Sequence, residues 1–489
     1  MKNINSFALI LSCAITTLNA QTVDDALRYS QLQVIGTARN AAMGGAFGAL
    51  GGDFSVSSIN PAGLAVYRSS EFSVTPSVFG SNASALYNGI RMDDSRINMN
   101  FSNVGFVSAN VFNESGGGWV STSFAAGYNR TNNFHRNIAI NGTNYTSSLL
   151  DVFIRQANSG GGLSPDDLDP FGALLAYQTN LIFDVDTMND SYLYTSDIPG
   201  GGENGVTQKN SIGTSGGTGE TVFSFAGNYD DRLYLGATIG YSTIRYNFFS
   251  SYREDAIEDT IIDSFTYNNE FITRGGGFNL KIGFLYRVMD WFRLGGAVHT
   301  PTFYSLTDNY GSTMTSRFQP GYTSYDATES NTGNFNYKLQ TPMRAIGSMA
   351  FVIGKKGLIS ADYEYVDYSS ARFSSSSQDF GMNENISIRE TLTAVSNIRV
   401  GAEWKFDPFS IRGGYSLQSN PYRNNINEGS INSYSIGFGI REQALSLDFA
   451  YVLSQMTNHK YYIYDPSLVN PALINFNTHA ILATLGYRF

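Results

Sequence analysis

Apolar and polar side chains alternate along most of this chain, and a period of two residues is typical of β-strands with unlike faces. In the final segment Leu485, Tyr487 and Phe489 share one face, while Gly486 and Arg488 share the other. The pattern predicts fourteen strands, at about 71–79, 95–112, 118–130, 218–229, 231–250, 270–289, 291–308, 333–354, 356–373, 391–407, 409–418, 431–443, 445–459 and 475–489.

The connections between these strands are predicted to alternate between short and long. The short ones are polar turns such as Asp230-Asp231, Asp407-Pro408 and Glu442-Gln443. The long ones are predicted at about 80–94, 131–217, 251–269, 309–332, 374–390, 419–430 and 460–474. Tight turns at one end, long loops at the other and an even strand count predict an all-β fold, a closed fourteen-stranded antiparallel β-barrel of a bacterial outer membrane.

Charged side chains fall on the face opposite the apolar one. Within 398–406, Arg399, Glu403 and Lys405 alternate with apolar residues. An Arg or Lys that faced lipid at the bilayer midplane would cost about 2–4 kcal/mol, so we expect these charges to face the lumen. The same parity places further charges inside: Lys281, Arg287, Arg293, Asp362, Glu364, Arg412 and Arg488.

Composition supports a membrane barrel rather than a water-soluble domain, because aromatic residues reach 14% while charged residues are only 15%. No apolar run reaches the roughly 18 residues of a spanning helix, which excludes a helical membrane protein. The net charge of −10 argues against a nucleic-acid partner. Cys13 is the only cysteine, so neither a disulfide nor a thiolate metal site is expected. No other metal site and no cofactor are predicted.

The first twenty residues are predicted to be a signal peptide, with Lys2 before an apolar stretch from Phe7 to Leu18 and cleavage after Ala20. The alternative is a lipoprotein cleavage box ending at Cys13, although the apolar stretch continues past that cysteine. Export and a barrel together predict the outer membrane of a Gram-negative bacterium.

Residues Asn60 to Leu64 read N-P-A-G-L, and residues Ala42 to Phe47 read A-M-G-G-A-F. These two segments resemble the N-terminal hatch of the FadL family of outer-membrane transporters for long-chain fatty acids and other hydrophobic compounds. Phe292 to Pro301 and Phe409 to Pro421 are similar to strand phrases of the same family, and the pattern is closest to its Bacteroidetes branch. The implied hatch residues are Gly44, Gly45, Asn60, Pro61, Ala62 and Gly63.

The resemblance implies a monomeric transporter and not an enzyme. A hatch at 21–70 would block the lumen of a barrel at 71–489. Hydrophobic molecules, such as fatty acids or aromatic hydrocarbons, would be captured by the loops, shift the hatch and leave sideways into outer-membrane lipid. The terminal Tyr487 and Phe489 resemble the signal read by the barrel-assembly machinery.

Two helical stretches are predicted in the loop at 131–217, one from Asn144 to Asn158 and one beginning at Asp169-Pro170. Their apolar residues either pack over the mouth or capture ligand; the candidates for capture are Leu149, Phe153, Phe171, Leu174 and Leu175. Arg293 and Arg412 are candidate partners for a carboxylate head group, unless lumen charges pair with one another.

Four rival functions follow from other features. A haem receptor would need an imidazole from His135, His299, His459 or His479. A barrel of this kind could also hold cargo for a protein-secretion machine. An outer-membrane hydrolase would need a nucleophile beside a histidine, and no compact pairing is evident. A general porin conflicts with a blocked lumen.

Overall fold

A computed structural model describes residues 22–33, 36–112, 118–185, 192–198, 205–257, 260–354, 356–376 and 380–489. The predicted signal peptide lies outside these ranges. The described chain forms a closed, fourteen-stranded antiparallel barrel, as the alternation predicts. Closure comes from β1 pairing with β14 between Glu71↔Arg488 and Leu86↔Leu473.

The strands are long, and three of them are interrupted. They are β1 Glu71–Tyr87, β2 Ile90–Val111, β3 Trp119–Asn133, β4 Val206–Tyr229, β5 Leu233–Ala256, β6 Ile262–Met289, β7 Phe292–His299 with Phe303–Phe318, β8 Gly333–Gln340 with Arg344–Ile353, β9 Gly357–Asp367 with Arg372–Ser374, β10 Ala394–Phe406, β11 Phe409–Gln418, β12 Ile431–Glu442, β13 Leu445–Tyr461 and β14 Ala472–Arg488. Shorter strands lie at Arg136–Asn144, Phe183–Asp184, Tyr194–Thr195 and Tyr325–Glu329.

Two predicted outer loops are mainly strand, so the strict alternation of short and long connections is wrong there. The segment 80–94 is a continuous hairpin closed by Asn88 and Gly89, whose φ angles are 44° and 84°. Most of 251–269 likewise extends β5 and β6. These outer extensions mix polar residues with apolar ones that face inward, such as Ala83, Ala85 and Tyr87, and the polar residues make the extensions resemble loops in sequence.

The N-terminal segment, residues 22–33 and 36–68, lies within the lumen. It contains helices α1 Val23–Ser30 and α2 Ala38–Ala42, and 3₁₀ helices at Phe54–Ser58 and Pro61–Val66. From Thr37 to Ala65 nearly every described side chain is buried. No helix in the described ranges is long and apolar enough to cross a membrane.

The mouth loop, described at residues 145–185, 192–198 and 205, covers the outer end of the lumen. Helix α3, Leu149–Ala157, is capped by the Ser148 hydroxyl, as the predicted helix at 144–158 requires. Helix α4, Ala173–Gln178, is capped by Gly172, so the prediction that it begins at Asp169-Pro170 is wrong by a few residues. Pro170 precedes the helix because Asp169 forms a turn, accepting from the Phe171 amide with its carboxylate. Helix α5, Met382–Thr391, joins β9 to β10.

Four buried wall carboxylates hold the N-terminal segment by hydrogen bonds or ion pairs. One of them, Asp362, accepts the Gly48 amide at 3.0 Å, and the other three are paired with cations. The first of these three, Glu403, accepts Arg39 Nε at 2.8 Å and Arg412 Nε at 2.6 Å. Arg412 also binds Asp448 at 2.6 Å, so the cation and carboxylates form a connected set. Such charges are tolerated inside the barrel because each is paired and hydrogen-bonded.

The other two carboxylates act at different heights of the wall. Glu220 pairs with Lys281 and accepts the Ser58 hydroxyl at 2.8 Å. Glu364 pairs with Arg344 and Arg399 at 2.7 Å and 2.9 Å, and Arg344 in turn donates to the Ser30 carbonyl. Among the inward charges predicted from parity, Asp362, Glu364 and Glu403 therefore help to anchor the N-terminal segment. Arg287 instead pairs with Asp290 in a turn, and Lys405 is exposed.

Replacing Arg39 with Met should lower the free energy of unfolding by about 1.5–3 kcal/mol, because Glu403 loses charged hydrogen bonds but keeps Arg412. Urea unfolding of the refolded barrel in lipid vesicles measures this loss. The matched control is Arg68→Met, since Arg68 and its partner Asp231 have side chains 47% and 46% exposed. An exposed pair contributes about 0–1 kcal/mol, so equal effects of the two changes would contradict the anchoring role.

Candidate functional site

Asn60 bonds the N-terminal segment to the barrel wall and also bonds two parts of that segment to each other. Its Nδ2 donates to the Gly48 carbonyl at 2.6 Å and to the Phe284 carbonyl of β6 at 2.9 Å. Its Oδ1 accepts the Ala62 amide at 3.2 Å, which caps the 3₁₀ helix that begins at Pro61. Pro61 has no amide hydrogen to leave unpaired at this first helical position. One asparagine thus fixes both the turn and its place on the wall.

Close backbone contacts require glycine on both sides of this interface. At Gly414 a Cβ would lie 2.2 Å from Gly44 N, and at Gly283 it would lie 2.0 Å from Asn60 Oδ1. Gly44 and Gly45 also turn with φ of 61° and 77°, which other residues rarely adopt. Gly63 packs against Gly51, and a Cβ added at Gly63 would lie 2.9 Å from Gly51 Cα. The predicted hatch residues all lie in this buried contact.

An outer cavity of about 350 Å³ lies beneath the mouth loop. Its size falls within the roughly 300–1,000 Å³ that is usual for small-molecule pockets. Aromatic rings form part of its wall, with the Phe171 and Tyr310 ring centroids 4.9 Å apart and those of Tyr246 and Phe271 5.5 Å apart. Polar and charged side chains, such as Asp24, Arg28 and Glu270, line the rest. Aromatic side chains supply much apolar contact area for a ligand.

An inner cavity of about 220 Å³ adjoins the outer one and lies deeper in the barrel. Helix α1 lies between them. Both cavities are lined by Asp24, Arg28, Tyr246, Phe248 and Tyr461. The inner cavity also contacts the end of β3 at Asn132 and Asn133. The two cavities therefore lie in series from the mouth towards that strand, with α1 separating them.

Arg28 is the charged group at the junction of the cavities. It pairs with Asp25, and its guanidinium lies 4.3 Å from the Tyr246 ring centroid. Burial raises the pKa of the Asp25 carboxyl above its usual value, while Arg28 acts in the opposite direction. The ion pair and the stacked ring hold α1 in the partition between the cavities.

Arg136 contributes a cation to the inner cavity without any carboxylate partner among the described residues. Its guanidinium lies 4.8 Å from the Phe476 ring centroid, and Ile138 and Ile474 line the same space. A guanidinium in apolar surroundings is costly until an anion reaches it, and its planar fork suits a carboxylate. Neither Arg28 nor Arg136 was predicted, because α1 and the start of 136–144 show no strand alternation.

The predicted capture residues divide into two groups. Leu149 and Phe171 line the outer cavity, where a ligand could touch them. Phe153 and Leu175 are buried in the core of the mouth loop, and Leu174 packs against that core. The second group supports the loop rather than the cavity wall.

The two predicted head-group cations lie elsewhere in the lumen. Arg412 is held by Glu403 and Asp448, and Arg293 Nη1 donates to the Leu50 carbonyl at 3.2 Å. Neither residue lines the outer or the inner cavity. Parity places a side chain inside the barrel, but it does not give the side chain's height or its partners.

The barrel wall has a seam between β2 and β3. These strands pair only from Asn103↔Asn129 to Val111↔Ser121, and Ile90 to Phe101 of β2 pair with β1 alone. After a bulge between Arg130 and Asn132, β3 stays paired with β4 through Asn133↔Gly217, and the chain continues as the inner strand, Arg136–Asn144, which also pairs with β4. Ile138 and Ile140 of this strand pack behind β1, against a cluster that contains Ala83, Ala85 and Tyr87.

Side chains bridge the seam where backbone pairing is missing. Asn133 Nδ2 donates to Asn98 Oδ1 at 3.2 Å, and Arg96 Nη1 donates to Asn137 Oδ1 at 3.3 Å. Asn133 also lines the inner cavity, so that cavity borders the stretch where β2 and β3 are unpaired.

The histidines differ in their surroundings. His299 is buried under the N-terminal segment and donates from Nε2 to the Ile59 carbonyl at 2.8 Å. Burial, with Arg96 and Arg130 nearby, lowers the pKa of His135 to about 4. His459 lines the inner cavity. Among the described residues no group of three or more His, Cys, Asp or Glu side chains is arranged to hold a metal ion.

Comparison with known proteins shows likeness in structure rather than in sequence. No family model matches the chain, and no curated protein matches it. A FadL homologue from Pseudomonas aeruginosa is similar with a TM-score of 0.57 at 13% identity, over 94% of this chain and 100% of that one. The toluene transporter TodX of Pseudomonas putida is similar with a TM-score of 0.52 at 11% identity, over 94% and 98%.

The toluene transporter TbuX of Ralstonia pickettii is also similar, with a TM-score of 0.50 at 15% identity, over 94% of this chain and 99% of that one. Identities this low establish the fold and nothing finer. The resemblance inferred from the hatch phrases is therefore confirmed for the fold, while the Bacteroidetes branch stays a prediction. This chain has the fold of the FadL-type outer-membrane barrels.

Proposed function

We propose that this protein is an outer-membrane transporter that passively takes up hydrophobic and amphipathic compounds. The observation that carries the proposal is the series of two cavities, each lined by both aromatic and polar side chains, with the N-terminal segment deeper in the lumen and the wall seam alongside. The neighbours named as a FadL homologue and as toluene transporters support the same role. The fold supports location in a Gram-negative outer membrane.

In the proposed cycle the ligand enters under the mouth loop and settles in the outer cavity. Movement of α1, the partition between the cavities, then opens the way to the inner cavity. The rest of the N-terminal segment blocks the periplasmic route, because it is bonded to the wall through Asn60 and the wall carboxylates. An apolar ligand gains about 25 cal/mol per Å² away from water, so lateral release into lipid keeps that gain.

Arg136 is the proposed partner for an anionic head group, in place of Arg293 and Arg412. Replacing it with Met should weaken binding of a long-chain fatty acid about ten- to a hundredfold, because one charged hydrogen-bonded contact is lost. Titration calorimetry on the detergent-solubilised barrel measures the affinity. Binding of an alkane of equal length should stay the same.

Arg253→Met is the matched control for Arg136→Met, since Arg253 pairs with Asp255 and its side chain is 45% exposed. The head-group role fails if the fatty acid binds equally well to both variants.

Lateral release through the seam can be tested by closing it. In an Asn98→Cys, Asn133→Cys variant a short bifunctional thiol reagent should join β2 to β3 and stop uptake of labelled fatty acid by whole cells. The native side chains touch across the seam, and the only native cysteine, Cys13, lies in the predicted signal peptide. Ala109→Cys with Ser123→Cys is the control, because these residues are paired on the closed part of the same ladder. Uptake that survives the first cross-link would exclude this exit.

Haem binding is a second candidate function, favoured by one observation. His459 Nδ1 lies 2.7 Å from the Glu428 carbonyl oxygen, which can only accept, so Nδ1 carries the proton and Nε2 keeps its lone pair. A fixed tautomer of this kind is usual for imidazoles that bind metals. Met456 and Arg136 line the same cavity.

If haem is a ligand, His459→Ala should abolish the shift of its Soret absorption band on mixing with the solubilised barrel. His299→Ala should leave the shift unchanged, because His299 is already bonded to Ile59 beneath the N-terminal segment. No shift with the native protein, or an equal shift in both variants, would remove this candidate.

A further inference from the structure

The seam between β2 and β3 is lined by amides and hydroxyls, although a gap that passed only hydrocarbon would be better lined by apolar groups. Asn98, Asn100 and Ser102 point inward from β2, while Ile97, Met99 and Phe101 point outward and are 74%, 77% and 57% exposed. Asn132 and Asn133 are buried on the facing part of β3. A molecule that crosses the seam therefore passes from amides to an apolar outer surface.

Two of these amides have hydrogen-bond capacity that nothing in the described chain uses. Asn98 Oδ1 accepts from Asn133, and Asn100 Oδ1 accepts the Ser77 hydroxyl at 2.8 Å. The Nδ2 atoms of Asn98 and Asn100 are buried and have no partner among the described residues. An unsatisfied buried donor is unfavourable, and the described residues supply no acceptor for these two.

Capping of the broken strand edges does not account for these two donors. Other seam amides do cap backbone: Asn103 Nδ2 donates to the Tyr128 carbonyl at 3.4 Å, and Asn132 Nδ2 donates to the Gln31 carbonyl at 3.3 Å. Asn98 and Asn100 make no such bond. Arg130, near the bulge on the opposite side, likewise has a buried Nε without a partner.

From this arrangement we infer that the seam is a head-group filter, which passes amphiphiles with hydrogen-bond-accepting head groups in preference to hydrocarbons of the same chain length. A carboxylate, hydroxyl or ester can accept from the Asn98 and Asn100 amides as it crosses. A pure hydrocarbon displaces water from those amides and returns no bond, so its passage carries the desolvation cost. The inference rests on the proposed lateral release and names the substrate class that this exit selects.

The test compares three probes of equal chain length: hexadecanoic acid, hexadecanol and hexadecane. In proteoliposomes with the Asn98→Leu, Asn100→Leu variant, transfer of the acid and of the alcohol should each fall about tenfold, which corresponds to the loss of two ordinary hydrogen bonds. Transfer of hexadecane should stay the same or rise. The alcohol separates hydrogen bonding from charge, because Arg136 attracts only the acid.

The control variant is Thr238→Val, which removes a buried lumen hydroxyl that is bonded to Ser224 at 2.7 Å on β4, away from the seam. It should leave the ratio of alcohol to hydrocarbon transfer unchanged. A variant with Asp at positions 98 and 100, Asn98→Asp with Asn100→Asp, keeps the shape of the side chains. It should reduce transfer of the acid more than that of the alcohol.

An unchanged ratio in the leucine variant, or an equal fall for all three probes, would overturn the filter. The seam cross-link distinguishes this failure from failure of the proposed function. If cross-linking stops transfer of every probe while the leucine variant keeps the native ratio, lateral release stands and the filter is wrong. If cross-linking stops none, the exit itself is wrong.

Discussion

Backbone hydrogen bonding in the absence of water is the constraint on which this structure depends. Within the hydrocarbon of a membrane no water can satisfy an amide or carbonyl, so a strand must pair on both sides. The ring of fourteen strands meets this demand by joining β1 to β14. An interruption of backbone pairing between two strands therefore costs free energy, and such interruptions are short. The seam at Ser102 and Asn103 is such an interruption, and side-chain amides take over there from the backbone.

The chemical character of the lumen wall changes along the barrel axis. Towards the short turns the wall offers glycines and paired charges, and the N-terminal segment fits them through close backbone contacts at Gly44 and hydrogen bonds at Asn60. Towards the mouth the wall offers aromatic rings, with Tyr246 and Phe248 around α1. Polar groups thus fix the floor of the cavities, whereas apolar surface above it is left free for a ligand.

Most of the buried charged side chains in the lumen are already paired with a group of opposite charge. Glu220, Glu364 and Glu403 each bind a cation and the N-terminal segment, or a cation that itself reaches that segment. Against this background Arg136 differs, because it contacts an aromatic ring and no carboxylate of the described chain. Paired charges thus hold the N-terminal segment in the lumen. Among the described residues, Arg136 in the inner cavity has no carboxylate partner, and two amide donors at the seam have no acceptor.

Local patterning was enough to predict the strands, the short turns and the inward charges, because alternation and turn chemistry depend on neighbours a few residues apart. The outer extension at 80–94 was missed, since its polar residues resemble those of a loop. The inner cavity was missed as well, because Arg28, Arg136 and Tyr246 are each more than a hundred residues apart and meet only after the barrel closes. The sequence determined the face on which most side chains lie. Only the strand register decided that Arg412 is paired, that Arg136 has no carboxylate partner among the described residues and that Asn98 lies where β2 and β3 are unpaired, because partners are set by distances that closure of the barrel fixes.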